Sequence, residues 1–240
     1  SSVYLFNDLF DLKHDRAHPT KGKRPLASGA LPISAGMGLA IALLLISLVP
    51  AFFLPLKFWL IPAFYVGLNL LYSARLKRVP IIDVFVLTSF YVMRLVAGGL
   101  VTDIPLSPWL KLFSFFLFLS LAFLKRQTES ATVFAAAGEE IAGRGYTQSD
   151  VRLLITFGSI SGLLAGLVFS LYLFQAETVK SYSKPEILWL ISPIFLLWMS
   201  RLWFRAGRGE VQGDPVKFLM MDWESLAFFA IVGLIGVASI

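Results

Sequence analysis

Residues 7–29, NDLFDLKHDRAHPTKGKRPLASG, decide how the rest of the chain is read. Asp8, Asp11 and Asp15 stand at i, i+3 and i+7. On a helix that spacing sets three carboxylates on one face, within about 60° of one another. Asn7 flanks the face, four residues before Asp11. Behind them come His14, Arg16, His18, Lys21, Lys23 and Arg24, and then the apolar chain resumes. Hard oxygen ligands beside a cluster of cations suit Mg²⁺ and phosphate. A solvated loop also carries acids and bases, but solubility alone does not ask for three carboxylates in helical register against a hydrophobic segment. Two His at i, i+4 near carboxylates would suit a transition metal. The three-carboxylate face among cations makes Mg²⁺ with phosphate the better account.

The surrounding chain is strongly apolar. Of its 240 residues 57% are hydrophobic, the mean hydropathy is +0.76, and only 15% are charged, against about a quarter in soluble proteins. This composition is that of an integral membrane protein. Without cysteine, disulfides, thiolate nucleophiles and zinc–thiolate sites are excluded. A net charge of +6 would suggest nucleic acid in a soluble protein; here its distribution has another cause, and no nucleic-acid partner is expected. The opening SSVYLF reads as the tail of an apolar helix, so the sequence is expected to begin inside a transmembrane segment of a longer protein, with no signal peptide.

Apolar spans are expected at 32–54, 58–73, 81–101, 108–124, 151–174, 187–204 and 223–240, with residues 126–150 a polar connection. Most approach the ~20 residues that cross a bilayer, and the shorter ones are flanked by basic or aromatic residues that reach the interface. If loops alternate between two sides, sixteen of the 21 Lys and Arg fall on the side carrying residues 7–32 and four on the other, with Arg94 inside a span. That bias places the Asp-rich stretch in the cytoplasm. The same side holds most of the acids, as a catalytic vestibule would. Gly158, Gly162 and Gly166 form a GxxxGxxxG ladder, a close helix-packing face within the bundle or between subunits of a homo-oligomer.

Further residues suited to chemistry are spread along these spans. Arg94 lies midway along 81–101, where hydrocarbon exposure of a guanidinium is costly, and with Asp83 on nearly the same face it is expected to line a polar cavity. Lys125 and Glu129 stand at i, i+4 with Arg126 beside them; an acid at a helix C-terminus asks for a cation. Arg144-Gly145-Tyr146 supplies a turn with a cation and a hydroxyl, and Tyr72-Ser73 precede Arg75, Lys77 and Arg78. Arg201, Arg205 and Arg208 form a basic stripe, followed by Asp214-Pro215 and Asp222. No Ser-His-Asp or Cys-His arrangement is present, and no span is broken mid-membrane in matching halves as in many transporters.

The run Asn7-Asp8-x-x-Asp11-x-x-x-Asp15, followed by Arg24-Pro25 and Gly29, resembles the first Asp-rich motif of the UbiA superfamily of intramembrane prenyltransferases. The longer form Asp15-Arg16-x-His18-Pro19-x-Lys21-x-x-Arg24-Pro25 looks more like the decaprenyl-phosphate phosphoribosyltransferase branch, as do Tyr72-Ser73, Leu76-Lys77, Pro80, Asp83-Val84, Arg94-x-x-Ala97-Gly98 and Lys125-Arg126-x-x-Glu129. The resemblance covers nearly the whole chain. It implies an all-α membrane bundle of nine helices, about eight of them represented here, with the first missing upstream. It assigns Asp8, Asp11 and Asp15 to Mg²⁺, with Asn7 beside the metal, and Lys21, Arg24, Lys77 and Arg78 to phosphates. Arg16, His18, Tyr72, Arg94, Lys125, Arg126, Glu129, Arg144 and Tyr146 join the substrate-binding candidates. The second Asp-rich motif of prenyltransferases acting on quinone or chlorophyll precursors is replaced here by Lys125, Arg126 and Glu129. Arg144-Gly145-Tyr146 and residues 214–222 also resemble the membrane half of a subgroup fused to a haloacid-dehalogenase-like domain, so a soluble domain is expected upstream.

Ionising an allylic diphosphate calls for two acidic metal sites on one leaving group. Phosphoribosyl transfer calls for one, with cations for the ribose 5-phosphate and for an incoming lipid phosphate that needs no general base. The expectation is therefore Mg²⁺-dependent transfer of phosphoribose from its diphosphate to a polyprenyl phosphate, in the inner (plasma) membrane with the site facing the cytoplasm. Transfer of a polyprenyl group from its diphosphate to an aromatic or other small acceptor is the alternative within the family. A non-enzymatic lipid-phosphate binder or a transporter is the alternative outside it.

Overall fold

The computed structural model describes residues 2–17, 21–51, 56–137, 145–173, 175 and 182–239, without the side chains of 3, 14, 17, 21, 50, 51, 56–58 and 131–137. His18 and Arg144, and the side chain of Lys21, thus lie outside the described part. The helices in order are α1 (Ser2–Phe10), α2 (Leu12–Ala17), α3 (Pro25–Ser28), α4 (Ile33–Ala51), α5 (Leu56–Ala74), α6 (Ile82–Thr102), α7 (Pro108–Ala137), α8 (Asp150–Leu173), α9 (Pro185–Leu188), α10 (Ile191–Gly207), α11 (Pro215–Met221) and α12 (Trp223–Ser239), with single 3₁₀ turns at Lys21–Lys23 and Leu76–Arg78. Among the described residues these account for every regular element, so the expected all-α class holds.

The seven apolar spans expected from sequence correspond to α4, α5, α6, α7, α8, α9–α10 and α12. Four meet the length and hydropathy of a bilayer span: Ile82–Thr102, Pro108–Ser130, Asp150–Leu173 and Pro185–Gly207. Pro215–Met221 and Trp223–Ser239 qualify together across a 76° bend, and α4 and α5 are apolar over shorter stretches, Ile33–Val49 and Trp59–Ala74. The chain is a multi-pass membrane protein. Its surface is correspondingly inverted: Leu60, Leu197, Leu234 and Val237 are exposed, whereas Thr88, Ser120, Ser130 and Asp83 are enclosed.

One boundary differs from expectation. The span expected to end at Leu124 continues as helix to Ala137, so Lys125, Arg126 and Glu129 stand on α7 and not in a connection. The reason is local: KRQTESATVFAAA contains neither Gly nor Pro and is rich in helix formers, and Ser130 Oγ donates back to the Arg126 carbonyl at 2.7 Å.

The Cα atoms fall into two compact units. The first comprises residues Ser1–Val86, Met93–Pro105 and Ala142–Gly145. In it α1 packs against α4, where Ser2 Oγ donates to the Ala40 carbonyl at 2.6 Å. Asp11 interrupts the assignment between α1 and α2, but Asp11 N–H still reaches the Asn7 carbonyl at 2.9 Å and Asp15 N–H that of Asp11 at 2.8 Å. Two i→i−4 bonds thus bridge the interruption, and the helical register that sets the shared carboxylate face carries across it. The next turn is set by Arg24-Pro25: Arg24 is extended (φ −63°, ψ 145°), as a residue before proline prefers, and Pro25 opens α3.

The second unit comprises Leu87–Val92, Leu106–Ile141 and Tyr146–Ile240. Its centre is the contact of α7, α8 and α10, and the glycine ladder of α8 is what allows it. A Cβ at Gly158 would overlap the Trp203 indole, one at Gly162 would come 2.5 Å from Met199 Sδ, and one at Gly166 2.9 Å from Leu196 Cδ2. Ser120 Oγ donates to the Gly158 carbonyl at 2.7 Å and accepts from Trp203 Nε1 at 3.0 Å, tying the three helices together. The ladder therefore serves packing inside the chain. Gly162→Leu should destabilise the protein by about 1–3 kcal/mol, since the facing thioether and Ser120 must both move. Gly233→Leu, where an added Cβ meets open space, should leave it nearly unchanged. Thermal unfolding in detergent measures both.

Candidate functional site

The Asp-rich face gathers its partners from two later stretches of the same unit. Arg24, fixed by the Pro25 turn, brings a single guanidinium nitrogen, Nη1, to Asp8 Oδ1 at 2.7 Å and Asp15 Oδ2 at 2.9 Å. From the end of α5 and the turn after it, Ser73 Oγ donates to Asn7 Oδ1 at 2.8 Å and Lys77 Nζ pairs with Asp11 Oδ1. Asn7 and Asp11 are one helical turn apart, while Ser73 stands in the last turn of α5 and Lys77, four residues later, on the 3₁₀ turn that follows it. The two segments are thus joined by two parallel rungs, one neutral and one ionic. Ser73 is the residue that reading the sequence for charge passes over; its i, i+4 spacing to Lys77, matching that of Asn7 to Asp11, is the signal that could have found it.

Burial pushes the Asp8 carboxyl up from its ordinary value, the neighbouring Asp15 and Asp11 charges add to that, and Arg24 opposes it. Asp15 and Lys77 are almost wholly enclosed, while Arg24 remains partly open to solvent. Among the described residues no three His, Asp or Glu side chains converge as a ready-formed metal site. Asp8 and Asp15 nevertheless already converge on one positively charged atom, Arg24 Nη1, with Asp11 between them on the helix, and all three offer hard carboxylate oxygens. This donor set fits Mg²⁺.

Other expected residues of this unit take different places. Arg16 Nε donates to the Ala27 carbonyl at 3.3 Å, bracing the turn. Tyr72 is buried and Arg78 is exposed. Gly145 (φ +66°) lies so close to the Arg78 carbonyl that a Cβ there would come within 2.6 Å of it, which leaves no residue but glycine between the candidates Arg144 and Tyr146. Arg94 donates to Tyr65 OH at 2.7 Å and stands over its ring, 5.6 Å from the centroid. It lines a cavity of about 320 Å³ with Tyr4, Ile61, Pro62, Tyr65, Met93 and Ala97. Tyr4 is one turn before Asp8 on α1. The companion expected there, Asp83, is fully enclosed in the first turn of α6 and does not line the cavity; three helical turns separate it from Arg94.

In the second unit Arg126 is 1% exposed and pairs with Glu129, so the cation that an acid at this place asks for comes from the preceding turn of α7. Lys125 instead faces Asp214 at 3.5 Å. Tyr146 is buried. Two of the three arginines of the basic stripe are consumed in structure: Asp222 accepts from Arg201 at 3.0 and 3.3 Å, from Arg205 at 2.7 Å, and from the Ser225 N–H and Oγ at 3.0 and 2.7 Å, while Arg208 stands over the Phe204 ring. Asp222 thereby holds the bend between α11 and α12.

Chemically, then, the fold is a membrane helix bundle carrying a carboxylate face balanced by Lys and Arg. The chain belongs to the UbiA prenyltransferase family, whose profile matches residues 1–226, and is a membrane transferase. It is 33% identical over 97% of its length to an uncharacterized protein, y4nM, of Sinorhizobium fredii, covering 45% of that protein. It is 29% identical to the nodulation protein NoeC of Azorhizobium caulinodans, over 98% of this chain and 76% of the relative. It is likewise 29% identical to the decaprenyl-phosphate phosphoribosyltransferase of Mycolicibacterium smegmatis, over 99% and 76%. The chain thus spans about half the length of the first of these relatives and three quarters of the other two.

Burial alone would raise the Asp222 carboxyl, but the hydrogen bonds from Arg201, Ser225 and Arg205 outweigh it and hold the group well below the usual carboxylate range. A value depressed in the folded state stabilises the protein above the unfolded value, and that stability is lost as pH falls through the folded one. Asp222→Asn should therefore lower stability by about 1–3 kcal/mol at neutral pH. The difference from the parent should begin to shrink as pH falls below the ordinary carboxylate value of about 4 and be smaller at pH 3 than at pH 7. Unfolding measured at pH 7 and at pH 3 checks this.

Proposed function

We propose that the protein transfers a phosphoribosyl group from phosphoribosyl diphosphate to a polyprenyl phosphate, with Mg²⁺, at the cytoplasmic face of the inner membrane. The observation that carries this reading is the single carboxylate face of Asp8, Asp11 and Asp15 interlocked with Lys77 and Arg24. It supports one metal–diphosphate site surrounded by cations, and the stretch where a second acidic motif would stand offers Lys125, Arg126 and Glu129. The similarity to decaprenyl-phosphate phosphoribosyltransferases supports the same donor and acceptor classes. The share of the relatives' length outside this chain leaves room for a preceding helix and a fused soluble domain.

In this reading Asp8, Asp11 and Asp15 hold the ion, and Asn7, fixed by Ser73, keeps their helix at the right height. Bound Mg²⁺ neutralises the leaving diphosphate. Lys77, Arg24, Arg78 and Lys21 bind phosphate oxygens, with Arg16 and His18 on the same connection. Arg94 and Tyr65 orient the second phosphorylated substrate along the cavity beside α1. A lipid-phosphate oxygen attacks the ribose C1, the bond from C1 to the diphosphate oxygen breaks, and diphosphate leaves with the electron pair. The acceptor is already an anion, so no base is required. Several phosphate charges in a partly dry cavity make opposed Lys and Arg worth most.

Purified protein in lipid with Mg²⁺ and a polyprenyl phosphate should convert phosphoribosyl diphosphate to a product found by mass, and EDTA should stop the reaction. Asp11→Asn should reduce turnover by roughly 10²-fold or more, as losses of electrostatic stabilisation at a reacting oxyanion do, with the fold intact by circular dichroism. Product from a polyprenyl diphosphate and an aromatic acceptor instead would overturn the donor assignment and leave the family. No product from either pair would favour lipid-phosphate binding or transport.

A further inference from the structure

One oxygen of each carboxylate assigned above to Mg²⁺ faces one of the protein's own cations: Asp11 Oδ1 faces Lys77, and Asp8 Oδ1 and Asp15 Oδ2 together face Arg24. The cations assigned to the diphosphate are these same two side chains. An ion taken at the remaining oxygens of Asp8, Asp11 and Asp15 would stand within a carboxylate's width of the Lys77 ammonium and the Arg24 guanidinium, against the charge of both. Three carboxylates against two cations leave one net negative charge. Adding a divalent ion without moving either cation would reverse that sign and press three positive centres together.

The geometry points to Lys77 and Arg24 as exchangeable counter-cations: they neutralise the carboxylate face while it is empty and turn to the phosphate when a divalent ion takes the carboxylates, so that ion and anion bind with positive coupling. This rests on the reading of the site as a Mg²⁺–diphosphate site. The Lys77 ammonium, though enclosed, ends a four-carbon stem on a 3₁₀ turn, and the Arg24 side chain is 39% exposed. The Arg201–Arg205–Asp222 cluster marks the contrast. There the carboxylate also accepts from the Ser225 backbone N–H and hydroxyl, so it is spoken for by its own helix as well as by the arginines. Asp11 and Lys77 bridge two segments already joined by the Asn7–Ser73 rung, which stays when the ionic rung parts.

The consequence is measurable without turnover. In the parent protein Mg²⁺ alone must displace a cation and leave it without a partner, whereas phosphate supplies that partner. By linkage, phosphate strengthens Mg²⁺ binding by the factor by which Mg²⁺ strengthens phosphate binding. The test is calorimetric titration of Mg²⁺ into the protein in lipid nanodiscs, with and without saturating inorganic phosphate, a weak chelator of the ion. The expected result is roughly tenfold tighter Mg²⁺ binding with phosphate in the parent, a difference of ~1.4 kcal/mol. In Lys77→Met, Mg²⁺ alone should bind more tightly than to the parent, and phosphate should improve it by no more than about twofold. Arg24→Gln should reduce the coupling in the same sense and stands in if Lys77→Met does not fold; Asp11→Asn, which should lose the ion altogether, is the blank. Full coupling retained in both cation variants, with Mg²⁺ binding still lost in Asp11→Asn, would overturn the exchange and leave the metal site standing. Mg²⁺ binding in no variant, or binding unaffected by Asp11→Asn, would overturn both.

Discussion

Three carboxylates in helical register repel one another, and that repulsion organises the first unit. At about 6 Å and an effective permittivity near 20, each pair of charges costs on the order of 3 kcal/mol. The cost is met by cations brought from elsewhere, Arg24 across two carboxylates and Lys77 on the third. Several local features exist to deliver them. Pro25 holds Arg24 extended and sends its side chain back toward α1. The 3₁₀ turn Leu76–Arg78 places Lys77 one step past the Ser73–Asn7 hydrogen bond. The face is therefore neutralised by cations from two other segments of the same unit.

The bilayer imposes the complementary constraint on the second unit. Helices that cannot gain by hiding leucine from water associate through close backbone approach and buried hydrogen bonds. Gly158, Gly162 and Gly166 admit Trp203, Met199 and Leu196, and the chain Trp203–Ser120–Gly158 joins three helices through one hydroxyl. Where the backbone must turn between α10 and α12, Asp214 caps α11 by accepting from the Val216 and Lys217 N–H groups, and Asp222 gathers Arg201, Arg205 and Ser225. Two arginines of a stripe that would otherwise suggest an anion site are used to fix a bend.

Much of this was legible in the sequence because it depends on periodicity. Apolar runs separated by charge located seven helices, and the i, i+3, i+7 spacing placed Asp8, Asp11 and Asp15 together even though the helix assignment breaks at Asp11. What could not be read was which partner each group would choose. Lys125 and Glu129 have helical spacing, but Glu129 takes Arg126 and Lys125 reaches Asp214, a residue remote in sequence. Asp83 and Arg94 share a helix face without sharing a cavity. Ser73, noted in the sequence beside Tyr72, carries no charge and was given no role, although it bonds Asn7. The extent of α7 past Leu124 followed from propensity alone and was masked by the polarity of the segment.

The account centres on one claim: the Asp-rich face holds a divalent ion shared with a phosphate ester, while Lys77 and Arg24 serve the anion. A structure determined with Mn²⁺ in place of Mg²⁺ and with inorganic diphosphate, its metal located by anomalous scattering, tests that directly. The account predicts a metal peak within coordinating distance of Asp11 and at least one of Asp8 and Asp15, with Lys77 Nζ on a diphosphate oxygen. A metal peak away from these carboxylates, or Lys77 still paired with Asp11 beside bound diphosphate, would contradict it.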